Sequence, residues 1–143
     1  MPEKENRYAI SKVLSANDTG DTGGHQAGIL VPKDPEILGF FPPLDNTEKN
    51  PRYHLPFFDE SGTRWEFAFI YYNNRFFGGT RNEFRLTRMT PYMRLNALKP
   101  GDEIILEKDG DGRRYIRYKR RHGAGMGADG VLRLGSEWKV IEI

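Results

Sequence analysis

The sequence predicts a mainly β domain of the α+β class, barrel-like in architecture, with one or two short helices. Three observations carry that expectation. Short runs dense in aromatic and β-branched residues recur along the chain, bounded by glycine, proline, asparagine or aspartate. Only one stretch carries a full set of helix start and stop signals. A length of 143 residues, with 37% hydrophobic and 13% aromatic content, fits one folded domain over residues 1–143 with a single core.

RYAISKVLS (Arg7 to Ser15) alternates with period two, Tyr8, Ile10 and Lys12 on one side and Ala9, Ser11 and Val13 on the other. It reads as a strand that ends at the polar loop SANDTGDTGGHQ, residues 15–26, which holds no large apolar side chain. HQAGILVP reads as a returning strand closed by Pro32, so that the pair projects the loop from a sheet edge. Residues 33–51, with Pro35, Pro42, Pro43 and Pro51, form a long connection with room for a helical turn. RYHLPFF and RWEFAFIYY are strong β segments. NNRFFGGTRNEFRLTRM follows, with Gly78-Gly79 as the turn between Arg75–Phe77 and Arg81–Thr87, a second projecting hairpin over 73–88. TPYMRLNALKPGDE predicts a short helix with Thr90 as N-cap, Pro91 at its first position, Leu95 and Leu98 on one face and Pro100-Gly101 as its stop. EIILEK and RYIRYK flank the turn DGDG, and EWKVIEI closes the chain as a strand after the glycine loop RRHGAGMGADG. No internal repeat is found.

Several function classes are excluded by composition or spacing. There is no cysteine, which removes disulfides and thiolate metal sites, and His25, His54 and His122 lack ligand-like spacing. No leader and no long apolar run is present, which points to a soluble intracellular protein. Gly125 to Gly130 spells the dinucleotide pattern GxGxxG, but the thirteen residues after it read as strand, not as the helix that a pyrophosphate site needs. DGDG (Asp109 to Gly112) opens like a calcium loop, yet Arg120 stands where the closing glutamate belongs. Asp129 with Glu137-Trp138-Lys139 imitates the carboxylate and lysine set of Mg²⁺-dependent nucleases, a combination that arises easily by chance in a chain with 29% charged residues. A serine hydrolase lacks its G-x-S-x-G elbow.

The net charge of +2 hides an asymmetry. Asp34 to Glu66 holds seven acids against three bases, whereas Arg75 to Arg94 holds five arginines against Glu83. RRYIRYKRR (Arg113 to Arg121) adds six more positive charges, for which a solvated strand face with snorkelling stems is the simpler account. Such a distribution suggests a polyanionic partner. Arg81, Glu83 and Arg85 alternate along an extended strand and so point to one side. Arginine suits guanine O6 and N7, and a carboxylate suits the cytosine amino group, so the row matches G·C pairs in a major groove. The competing account is a salt-bridge ladder. In the first loop, glycines allow close approach to phosphates, while Asn17, Asp18, Asp21, His25 and Gln26 bring donors and acceptors to base edges.

LSANDTGDTGGHQAGILVPK and IYYNNRFFGGTRNEFRLTR, together about a quarter of the chain, resemble the amino-terminal, effector-DNA-binding domain family of EcoRII restriction endonucleases. MRLNALKPGDEIILEK is similar to the plant B-three transcription-factor domain. The resemblance implies a seven-stranded open pseudobarrel whose two arms grip the major groove of double-stranded DNA at 5′-CCWGG without cutting it. The family's first-arm histidine matches His25, and its second-arm Arg, Glu and Arg match Arg81, Glu83 and Arg85. Two family lysines are replaced by Gly79 and Phe84. Lys12, Lys33, Asn73, Arg75, Thr80, Asn82 and Arg88 are the candidates for DNA-backbone contact. On this resemblance binding needs no cofactor, Mg²⁺ belongs to a nuclease domain elsewhere in the same polypeptide, and the setting is the bacterial cytoplasm. No membrane and no small-molecule substrate is expected. The alternatives are a transcription regulator of the B-three kind and a nuclease using Asp129, Glu137 and Lys139.

Overall fold

A computed structural model describes residues 7–19, 28–121 and 137–141. Eight strands form one sheet: β1 (Tyr8–Val13), β2 (Ile29–Val31), β3 (Arg52–Phe58), β4 (Arg64–Tyr72), β5 (Glu83–Thr87), β6 (Glu103–Lys108), β7 (Arg114–Lys119) and β8 (Trp138–Ile141). Their order across the sheet is β2-β5-β4-β3-β7-β6-β1-β8. Neighbours are antiparallel except β3 and β7, which run parallel at Phe57–Arg114 and Phe58–Tyr115. The sheet curls into an open half-barrel. Its two end strands meet through a side chain, the Trp138 indole N–H donating to the Leu30 carbonyl at 2.9 Å. The described residues thus hold one strand more than the seven that the resemblance implies.

The core follows the strand period. Leu55 and Phe57, Phe67 and Phe69, and Ile104 and Leu106 are alternate residues that face one apolar cluster, completed by Ile10, Phe40 and Tyr92. Aromatic rings dominate it, with Phe41 stacked on Phe69 at 4.4 Å and Phe57 beside Phe67 at 5.2 Å between centroids. The long connection contains the expected helical turn, α2 (Pro35–Leu38), following α1 (Ala16–Thr19). The DGDG segment is a hairpin turn: Asp109 Oδ1 accepts from the backbone N–H groups of Asp111 and Arg113, and Gly112 takes the left-handed φ of 85°.

Three expectations need correction. β1 and β2 are not hairpin partners, because β1 lies between β6 and β8 while β2 pairs with β5 at the other end of the sheet. Residues Asn74–Phe77 form a 3₁₀ turn instead of a strand, closed by Gly78 at φ 92°, so the projecting hairpin is β4–β5. Helix α3 (Thr90–Leu95) takes Met89 as its N-cap, not Thr90. It buries Tyr92 and Met93, whereas Leu95 is 70% exposed. Leu98 is buried but lies beyond the helix, since Ala97 turns left-handed at φ 51° and breaks the helical spacing.

Candidate nucleic-acid interface

The register of β5 builds the second arm. Glu83 and Arg85 project from one face of the strand, while Phe84 and Leu86 pack on the other. Phe84 lies flat against its cross-strand neighbour Tyr71, centroids 4.1 Å apart. Its replacement of a family lysine therefore adds packing on the inner side. The other departure also has a geometric reason: a Cβ at Gly79 would sit 2.7 Å from Asn74 Cβ, and the Gly79 N–H donates to the Asn74 carbonyl.

Arg81, Glu83 and Arg85 form a connected row. Glu83 Oε2 accepts from Arg81 Nη2 at 2.9 Å, from Arg81 Nε at 3.3 Å and from Arg85 Nε at 2.7 Å. The ion pairs join residues two apart along β5 and the segment just before it, where Arg81 lies, and do not form a cross-strand ladder. Partial burial pushes the Glu83 carboxyl upward, but the hydrogen bonds and charges of Arg85 and Arg81 outweigh it and hold it below the ordinary glutamate value. The three bonds converge on Oε2; among the described residues no bond to Oε1 is found, which leaves that oxygen for an outside donor. Arg81 also lies over the Tyr72 ring, 4.0 Å from its centroid. The Arg81 and Glu83 side chains are 40% and 28% exposed.

Strand pairing joins the return of the first arm to the second arm. Ile29, at the return of the first arm, is opposite Leu86 on β5. Gly28, at φ 93°, sets the entry: a Cβ there would fall 2.5 Å from the Leu86 carbonyl oxygen. Arg85 Nη1 donates to the Gly28 carbonyl at 3.0 Å, tying the second arm to the foot of the first. A cleft between the two feet is lined by Asp18, Gly28, Tyr72, Thr87, Arg88 and Thr90.

The other candidates divide into outward and inward groups. Asn17, Lys33, Arg75, Thr80 and Arg88 are exposed, and Arg88 holds a left-handed φ of 67°. Asp18 and Lys12, expected at the groove, are instead buried against each other, Nζ to Oδ2 at 2.8 Å. Asp18 Oδ2 also accepts from the Ser15 N–H, and Ser15 Oγ accepts from the Asp18 N–H, the reciprocal bonding of a capping box. Asn73 is likewise turned inward and fully buried: Oδ1 accepts from the Asn50 N–H and Nδ2 donates to the Glu48 carbonyl. Asn82 Oδ1 accepts from the Tyr71 hydroxyl at 2.5 Å. Asp21, His25 and Gln26 lie outside the described residues.

Arginines of the Arg113–Arg121 block serve the fold. Arg114 donates to the Phe40 carbonyl, Arg113 lies over the Phe58 ring, and Arg120 binds the Asn96 and Ala97 carbonyls after α3. Of the nuclease set, Asp129 lies outside the described residues, and Lys139 is 3.8 Å from Glu103. No helix of the described residues is long and apolar enough to cross a membrane. Sequence reasoning passed over Tyr72, Gly28 and the aromatic pair Phe76 and Phe77. For the aromatic pair the available signal was its position between Arg75 and Gly78 in a projecting turn.

Comparison with known proteins finds matches over the span that holds both arms. The family model for the amino-terminal domain of restriction endonuclease EcoRII matches residues 4–99, a span containing both. The type II restriction enzyme EcoRII of Escherichia coli is 43% identical over 98 residues, covering 66% of this chain and 24% of that enzyme. The chain thus spans about a quarter of the length of that relative. Among solved structures, the Arabidopsis FUS3–DNA complex matches with a TM-score of 0.63 at 18% identity, covering 80% of this chain and 99% of the other. At that identity the likeness speaks for the fold.

Proposed function

Because the chain belongs to the EcoRII amino-terminal domain family, we propose that it is a sequence-specific double-stranded DNA-binding domain, without catalysis of its own, that serves a type II restriction enzyme as its effector or target-recognition domain. The Arg81–Glu83–Arg85 row is the observation that carries the reading. It offers guanidinium donors on either side of a carboxylate whose second oxygen accepts no bond from the described residues, the complement of the acceptors and donors that stacked G·C pairs present in a major groove. The site is 5′-CCWGG or a close relative, following the family resemblance. Tyr72 under Arg81 and the Gly28 carbonyl beside Arg85 hold the row in shape before DNA arrives, which reduces the ordering cost of binding.

Exposed cations around the row supply the sequence-independent part of affinity. Arg75 and Arg88 from the second arm and Lys33 beyond β2 are exposed, which suits them to contact the phosphates flanking a groove-bound arm, with release of counterions. Lys12, Asp18 and Asn73 position the arms from inside and touch no DNA. The catalytic domain of the restriction enzyme lies elsewhere in the polypeptide, and any Mg²⁺ requirement belongs there.

Titration of the chain into cognate and singly substituted duplexes at fixed salt tests this reading. Arg81→Ala and Glu83→Ala each weaken cognate binding by about 1–3 kcal/mol and relax discrimination at one base pair. An equal loss on every duplex refutes base reading by that residue.

A further inference from the structure

The 3₁₀ turn of the second arm presents two aromatic rings to solvent: Phe76 is 63% exposed and Phe77 43%. Large apolar side chains at adjacent, outward positions call for a partner surface. Their exposure is not the product of a loose segment. The Arg75 N–H donates to the Arg81 carbonyl at 2.9 Å, the Phe76 N–H to the Asn73 carbonyl at 3.0 Å and the Gly79 N–H to the Asn74 carbonyl at 2.8 Å. Below the turn, buried Asn73 locks onto the 48–50 segment. The backbone is fixed by bonds in which neither ring takes part.

The surroundings select the partner. Arg75 precedes the rings, Arg81 lies beside them through the Arg75–Arg81 backbone bond, and Arg75 to Arg94 carries five arginines against one glutamate. An apolar tip set in cationic flanks fits a polyanion with an apolar feature on its reading edge. In a major groove that feature is the C5-methyl of thymine, the one apolar group among the base edges.

We propose that Phe76, with Phe77 as its neighbouring wall, reads a thymine C5-methyl in the major groove and so adds A·T discrimination to the G·C reading of Arg81, Glu83 and Arg85. The inference rests on the DNA-binding reading above and deepens it: the charged row gives one class of base pair, the aromatic pair the other.

The experiment selects a preferred duplex from a randomised pool with the wild-type chain, then replaces each thymine in turn by deoxyuridine, which lacks only the methyl. Binding is followed by fluorescence anisotropy at fixed salt for wild type, Phe76→Ala and Phe77→Ala. At one position wild type loses about fourfold in affinity on deoxyuridine, the loss expected for one buried methyl-sized group. Phe76→Ala shows no difference between the two bases there. Wild-type indifference to every replacement, or a thymine preference that survives both alanine variants, overturns the proposal while leaving arginine and glutamate reading intact. Failure to select any sequence overturns both. Binding to phosphatidylserine vesicles that disappears in Phe76→Ala, together with thymine indifference, assigns the rings to a lipid surface instead and also overturns it. Both positions are exposed, so the alanine variants keep the fold.

Discussion

Removing the carboxylate of Asp18 tests how the first arm is anchored. Lys12 and Asp18 have side chains only 8% exposed each, and the ammonium meets Oδ2 at 2.8 Å. Asp18→Ala leaves the Lys12 charge buried with the Val13 carbonyl as its remaining bonded partner among the described residues, and it deprives the Ser15 N–H of its acceptor. Breaking a buried pair from one side costs about 3–5 kcal/mol, most of it the penalty of an uncompensated charge. Removing both charges, as in Lys12→Met with Asp18→Ala, avoids that penalty and leaves chiefly the lost cap, about 1 kcal/mol. The double variant is therefore more stable than Asp18→Ala by about 2–4 kcal/mol. Urea unfolding followed by tryptophan fluorescence is the assay. With a slope of about 1–3 kcal/mol per molar for a domain of this size, the Asp18→Ala midpoint falls by about 1–5 M at unchanged slope, and the double variant recovers most of it. A midpoint within the scatter of wild type, or a double variant no better than the single, refutes the buried-pair account.

Three further outcomes are expected. Arg88→Ala lowers affinity for every duplex and reduces the slope of log affinity against log salt by about one unit, read from titrations at several salt concentrations. Gly28→Ala destabilises the domain by about 2 kcal/mol or more and weakens cognate binding, since its Cβ meets the Leu86 carbonyl at 2.5 Å and φ is 93°; urea unfolding and anisotropy check both. The Glu83 carboxyl is lowered in the fold, so its contribution to stability is complete above the unfolded glutamate value of about 4.3 and is lost as pH falls through the lower folded value. Base discrimination at the Glu83 position accordingly stays level from about pH 8 to pH 5, and a decline within that window, measured on matched and mismatched duplexes, contradicts the bonded arrangement with Arg81 and Arg85.

Much of the fold was readable from residue types, because aromatic and β-branched runs seek a half-buried pleated surface wherever it lies. Pairing was not. Arg7 to Ser15 and the segment ending at Pro32 look like a hairpin because they are near in sequence, yet β1 and β2 stand six positions apart in the sheet order and approach again only as the barrel curls. Turn identity was half legible: Gly78 marks the bend, but the 3₁₀ path of Asn74–Phe77 depends on the buried Asn73 contacts with residues more than twenty positions earlier. The helix near Thr90 was found from Pro91, while its buried face was misread because the spacing from Leu95 to Leu98 assumes a helix that Ala97 has already ended. In the site, alternation placed Arg81, Glu83 and Arg85 together without help from tertiary structure. Lys12, Asp18 and Asn73 were misjudged for one shared reason. Polar residues beside a loop look available for a ligand until a partner distant in the chain, or buried beside them, is seen to satisfy them.

What holds the reading row outward is the same register that closes the core. Phe84 and Leu86 alternate with Glu83 and Arg85, and their rings and methyls lie against Tyr71, Phe69 and the β2 strand. A one-residue slip of β5 would turn Glu83 and Arg85 inward and expose Phe84 and Leu86. Unpaired burial of either charge alone costs several kcal/mol, so the apolar side of the strand fixes the orientation of the polar side. Phe84 thereby gives this chain a firmer register than a lysine at that position provides, since a lysine stem adds little to the Tyr71 face. The Ile29–Leu86 pairing and the Arg85 bond to the Gly28 carbonyl extend that register to the foot of the first arm. The reading row and the foot of the first arm at Gly28 are thus held by one strand pair, and a change that loosens β2 against β5 disturbs both even where no groove-facing residue is altered.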